Sequence, residues 1–162
     1  VNAILRNLGL PTSTFLSSPK TALASLVLMS LWGIGGGMVI YLAGLQGISQ
    51  QLYEAGRIDG ATGLQLFWHI TIPLMTPTIF FNLVMGLIGA FQYFTGAFVM
   101  TGGGPVFSTY FYNLMLYERA FEWLQMGMAS AMAWFLLVVI LILTLLVFRS
   151  SSAWVYYEAE VK

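Results

Sequence analysis

The chain has 162 residues, 59% of them hydrophobic and only 7% charged, far below the roughly 25% charge of soluble domains, so it reads as an integral membrane protein. Six basic residues balance six acidic ones, and no basic face is left for nucleic acid, whose binding needs clustered Lys and Arg. Cysteine is absent, which removes disulfides, thiolate nucleophiles and cysteine metal sites without bearing on redox compartment.

Val1 to Lys20 carries Gly9, Pro11, Pro19 and a Ser/Thr cluster and is expected to be irregular or partly helical, outside the bilayer. Asn2 to Leu10 is expected to form one short amphipathic helix. A first membrane span is predicted over about 23–45, long enough for a bilayer that needs about 20 apolar residues. Ser30, Gly33, Gly37 and Gly44 share one face of it, where small side chains let another helix come close. Trp32 and Tyr41 fit either interfacial anchors or groups facing a pathway.

A polar segment, about 49–73, separates this span from the next. Leu52, Ala55 and Ile58 recur at helical spacing, Asp59-Gly60 is a turn dipeptide, and Thr62 with Gln65 has the spacing of a capping box. A helix, a glycine turn and a second helix are therefore predicted, with Pro73 placed where the second helix should stop or kink.

The second span is predicted over about 77–100. Asn82, Gly86, Gly89, Tyr93 and Gly96 fall on one side by helical periodicity, and Phe80, Val84, Leu87, Phe91, Phe94 and Phe98 on the other. The bulky side suits lipid. The small and polar side, with adjacent Gln92, suits close packing or a water-filled path. Thr101 to Leu124 returns to water through three glycines and Pro105, then an aromatic, partly helical run in which Glu118 and Glu122 read as a solvated face. A third span is predicted over about 128–148, small at its start and aliphatic at its end.

None of the predicted spans contains Asp, Glu, Lys, Arg or His, whereas proton relays and ion-coupled sites normally need such groups. The one histidine, His69, makes no metal set alone and is expected to cap a helix or lie at the surface. No phosphate cradle of the Gly-x-x-x-x-Gly-Lys-Ser/Thr type is present, so ATP hydrolysis would have to come from another chain. No cofactor is expected.

The run Glu54-Ala55-Gly56-Arg57-Ile58-Asp59-Gly60-Ala61, ending in Ile70-Thr71-Ile72-Pro73, resembles the cytoplasmic coupling loop of binding-protein-dependent ABC importer permeases. Gly56 stands where the family has a second alanine, which loosens a helix interior by roughly 1 kcal/mol. Leu42-Ala43-Gly44-Leu45-Gln46, Thr101-Gly102-Gly103-Gly104-Pro105 and the stretch from Tyr117 to Ala131 are similar to the carbohydrate-uptake branch, within it the maltose- or glycerol-3-phosphate-type first membrane subunit.

The resemblance implies an all-α transmembrane bundle, part of a type I importer permease core, entered midway, so that residues 1–162 would be the C-terminal part of one permease domain. It also implies ATPase subunits, a second permease subunit, an extracytoplasmic solute-binding protein and a sugar-like solute, in the inner membrane of a prokaryote. Glu54, Ala55, Gly56, Asp59, Gly60 and Ala61 would meet the ATPase, with Glu54 near a basic group and Gly60 permitting the turn. Otherwise Glu54 and Arg57 merely pair along the helix, contributing about 0.2–0.5 kcal/mol. Asn82, Gly86, Gly89, Gln92 and Tyr93 are the candidates for the translocation path. Orientation also rests on the resemblance, because Arg57, Arg149 and Lys162 on one side balance Arg6, Lys20 and Arg119 on the other; the loop and the end at Lys162 would face the cytoplasm. Another importer cargo, or a channel or structural subunit without an ATPase, remain the alternatives.

Overall fold

The computed structural model describes residues 2–7, 9 and 14–156. Every regular element among them is helical: α1 (Asn2–Asn7), α2 (Ala22–Ser30), α3 (Ile34–Gln46), α4 (Gln50–Ile58), α5 (Gly63–Leu66), α6 (Ile72–Phe91), α7 (Thr95–Met100), α8 (Tyr112–Tyr117) and α9 (Met126–Ser151). Of the predicted helix over Asn2 to Leu10, Asn2–Asn7 is present as α1 and Gly9 lies in a turn, while Leu8 and Leu10 fall outside the described set, as does the tail beyond 156.

Three helical stretches are long and apolar enough to cross a membrane: Ala22–Gln46, Gly63–Phe91 and Met126–Ser151. The first and third match expectation. The second begins and ends earlier than predicted. Pro73 does not stop it, because a π-turn at Phe67–Thr71 precedes the proline and the Ile72 N–H reaches back five residues to the Phe67 carbonyl. This wider turn carries the chain into α6 without calling on the N–H that proline lacks. The predicted span over 77–100 is instead broken at 92–94, where Phe94 leaves the helical region at φ −139°, ψ −59° and its ring stacks on Phe98 and meets Tyr117 at a tilt.

The residues form two compact units, Val1–Gly33 with Phe91–Leu136 and Ile34–Ala90 with Leu137–Lys162. In the first, Phe94, Phe98, Tyr117 and Phe121 make an aromatic cluster with centroids 5.1–5.2 Å apart. Thr109, fully buried, donates its hydroxyl to the Gly104 carbonyl at 2.7 Å and meets the Thr101 hydroxyl at 2.7 Å. This holds the loop whose tip, Val106 and Phe107, stands in solvent. The Tyr112 hydroxyl donates to the Met132 carbonyl of α9 at 2.9 Å. Glu118 is not simply a solvated residue: the Tyr110 hydroxyl donates to its carboxylate. That bond, with burial, pushes the phenol up to about 12, because ionised tyrosine beside a carboxylate is disfavoured.

In the second unit the glycine stripe of the first span is used at one point. A Cβ on Gly44 would lie 2.7 Å from Thr78 Oγ1 and 3.2 Å from Met75 Cε, whereas Gly33 and Gly37 have open space beside them. Phe80, expected to face lipid, is buried and meets Phe148 at 5.0 Å and Trp154 at 6.0 Å, edge to face. Each such aromatic pair is worth about 0.5–1.5 kcal/mol. Phe80→Ala will therefore destabilise the full-length protein by about 1–3 kcal/mol, read as a lowered melting temperature in detergent. Leu83→Ala, on an exposed position, will barely move it, and the reverse order would refute this packing.

Candidate functional site

The segment between the first two spans is built as the sequence leads one to expect. Ser49 is extended and opens α4, whose last turn closes on Asp59 and Gly60. The Gly60 N–H donates to the Arg57 carbonyl at 3.0 Å and the Ala61 N–H to the Gly56 carbonyl at 2.9 Å. These are the two bonds of a Schellman motif, which needs a left-handed residue after the helix. Gly60 supplies it at φ +81°. The chain then turns into α5 through Thr62, whose N–H donates to Gln65 Oε1 at 2.7 Å, the glutamine's half of the capping box.

The face that α4 turns towards α5 and the π-turn is not the apolar triplet Leu52, Ala55 and Ile58. Those three are exposed, Ile58 at 85%. The inner face is Tyr53, whose hydroxyl bonds that of Thr71 at 2.9 Å, and Gly56. A Cβ at Gly56 would fall 2.5 Å from Leu66 Cδ2, so the missing side chain lets the two helices close on each other as well as loosening the first. Only the end of one flexible leucine stands in the way. The sequence reading missed Tyr53 because a tyrosine at helical spacing from nothing apolar carries no periodic signal.

Between α4 and the following turns lies an open cleft of about 360 Å³, lined by Gly56, Asp59, Gly60, Leu66, His69 and Ile70 among others. Glu54, Ala55 and Arg57 lie exposed along α4. The same segment carries exposed apolar groups: Ile58, Leu64 at 70%, Phe67 and Trp68. His69 is exposed and its Nδ1–H donates to the Gln65 carbonyl at 2.9 Å, which accounts for it without a metal; no cluster of three metal-ligating side chains occurs among the described residues. A charged, apolar-edged surface with a fixed glycine turn is suited to receiving another protein, not to acid–base chemistry.

The proposed path residues are not one helical stripe. Asn82, Gly86 and Gly89 lie on α6, with Asn82 Nδ2 bound to the Thr78 carbonyl at 2.9 Å and open space beside both glycines. Gln92 and Tyr93 come after the helix has ended, and Tyr93 packs edge-on to Phe111 at 5.2 Å.

Residues 3–154 match the family described as binding-protein-dependent transport system inner membrane component. Among curated relatives, the probable ABC transporter permease protein YesP of Bacillus subtilis is 45% identical over 99% of this chain and 53% of its own. The sulfoquinovosyl glycerol transport system permease protein SmoG of Agrobacterium fabrum is 37% identical over 82% of this chain and 44% of its own. The multiple sugar-binding transport system permease protein MsmF of Streptococcus mutans is 34% identical, over 86% and 49%. The chain thus spans about half the length of these three relatives.

Proposed function

The chain belongs to the binding-protein-dependent transport system inner membrane component family, and we propose on that premise that it is part of the permease of an ATP-driven sugar importer. It is a multi-pass membrane protein of a family of transport components. The observation that carries the coupling reading is the continuous helical path from the loop into the second span, α5 through the π-turn to α6, Gly63 to Phe91. A partner that moves the loop then moves a span directly.

In this reading the exposed surface around Glu54, Ile58 and Gly60 sits in a groove of an ATPase subunit, which supplies all the ATP hydrolysis. A solute-binding protein delivers the cargo on the opposite side, and a second permease subunit completes the path. The cargo is a neutral, sugar-like solute: relatives are named for sulfoquinovosyl glycerol and for multiple sugars, and the open Asn82, Gly86 and Gly89 face offers no buried charge to an ion. Residues 1–162 are part of a single permease transmembrane domain. The test is co-purification of the full-length permease with an ATPase and ATP-dependent uptake in vesicles; a permease that carries no ATPase refutes the proposal.

The resemblance of segment 49–73 to a coupling loop supports a cytoplasmic position for it and for the end of α9, with Val106 reached from outside. Single cysteines at Leu64 and at Val106, both exposed, in an otherwise cysteine-free full-length permease will report it. On intact cells an impermeant thiol reagent will label the second and spare the first. Labelling at Leu64 alone inverts the orientation.

A further inference from the structure

We infer that one stretch of α6, Met75 to Phe80, is the clamp that passes movement of the loop to the first and third spans, with the Thr76 hydroxyl as its positioning group. This rests on the coupling reading above. Met75, Thr76 and Phe80 are at most 9% exposed, although most of the surface of the three spans is open. The first span reaches this stretch at Gly44, whose bare backbone lies against Met75 and Thr78. The third reaches it with Phe148 on Phe80, and the tail that follows α9 with Trp154 on the same ring; Val155, next in the tail, is itself buried.

The last link is a hydrogen bond across 80 residues of chain: the Tyr156 N–H donates to Thr76 Oγ1 at 2.8 Å. The same hydroxyl donates to the Pro73 carbonyl at 2.6 Å. Pro77, inside α6, has no N–H, so the carbonyl four residues before it, that of Pro73, loses its helical partner. Thr76 replaces that partner. A hydroxyl has one hydrogen and two lone pairs, so it holds the helix together at Pro73 and holds the returning tail at once. Pro73 is the second residue of α6, immediately past the turn by which the loop joins the span. The tail, covalently remote from the loop, is thereby fixed to the point where the loop's motion enters the membrane.

The test compares three variants in the full-length permease with its ATPase and binding-protein partners, scoring solute taken up per ATP hydrolysed. Thr76→Ser keeps both bonds and will match the wild type. Thr76→Val loses both, and Tyr156→Pro removes only the tail's donor; each will lower the ratio at least about fivefold while ATP hydrolysis and assembly persist. A normal ratio in Tyr156→Pro, whatever Thr76→Val does, overturns the clamp, since the hydroxyl then serves Pro73 alone. Loss of assembly in Tyr156→Pro also overturns it, by showing that the tail folds the protein and does not transmit motion. If instead the wild type carries no ATPase or shows no ATP-dependent uptake, the importer reading fails and not the clamp alone.

Discussion

Gly60→Val in the full-length permease will cut uptake at least about tenfold while leaving the amount in the membrane unchanged. At φ +81° any L side chain is strained, by about 1–2 kcal/mol, and a β-branched one by more. The chain relieves that strain by leaving the left-handed region, which breaks the bonds from Gly60 and Ala61 to Arg57 and Gly56 and swings α5 away from α4. The apolar runs of the three spans keep their composition, so insertion stays. Gly63→Ala is the matched control: that glycine is not left-handed, and a Cβ there meets nothing within 4 Å. Glu54→Ala, on an exposed side chain, will leave the fold as it is but weaken retention of the ATPase. Normal uptake by Gly60→Val with a full ATPase complement would remove the coupling role from this loop.

Gly89→Leu will abolish uptake with the complex still assembled. Apart from its chain neighbours and the backbone of its own helix, no heavy atom of the described residues lies within 4 Å of a Cβ at Gly89, so leucine creates no clash there, and facing lipid it would cost little because lipid tails are as apolar as leucine. Any defect must then come from a surface or a solute that another part of the transporter brings to this face. Uptake and complex yield separate the cases: lost yield means the face packs on a neighbouring chain, and normal uptake with normal yield means it meets only lipid, which ends the path assignment.

The faces of α6 show where the sequence stopped being legible. Phe80 looked like a lipid-facing residue and is buried, while Gly86 and Gly89, read as an inner face, are open. In a membrane the bundle interior and the lipid are both apolar, so hydrophobicity marks the span without marking its inside. The boundaries of the second span failed for a related reason. Apolar residues run on past Phe91, and at the break over 92–94 the rings of Tyr93 and Phe94 meet Phe111 edge-on and Tyr117 at a tilt, contacts made far along the chain. The turn at Gly60, by contrast, depends on local chemistry, glycine for a left-handed residue and Thr62 with Gln65 for the next helix start, and local chemistry is what a sequence displays. Thr76 lay between the two. Its duty to Pro73 is implied by Pro77 four residues on, but its second partner, Tyr156, is written 80 residues away.

That distance fixes an order of events during synthesis. A ribosome adding about 5–20 residues per second needs roughly 4–16 s to travel from Thr76 to Tyr156. Throughout that interval the helix that carries Pro73, Pro77 and Asn82 is in or entering the bilayer without the tail that will grip it. The third span enters readily, since apart from Thr144 every residue from Leu137 to Phe148 is Leu, Ile, Val or Phe, each favouring the bilayer by about 0.3–0.6 kcal/mol. The second span, by its prolines and its asparagine, is the poorer entrant, and it is the one that waits. The Thr76 hydroxyl thus serves Pro73 alone until the last residues of the tail are made.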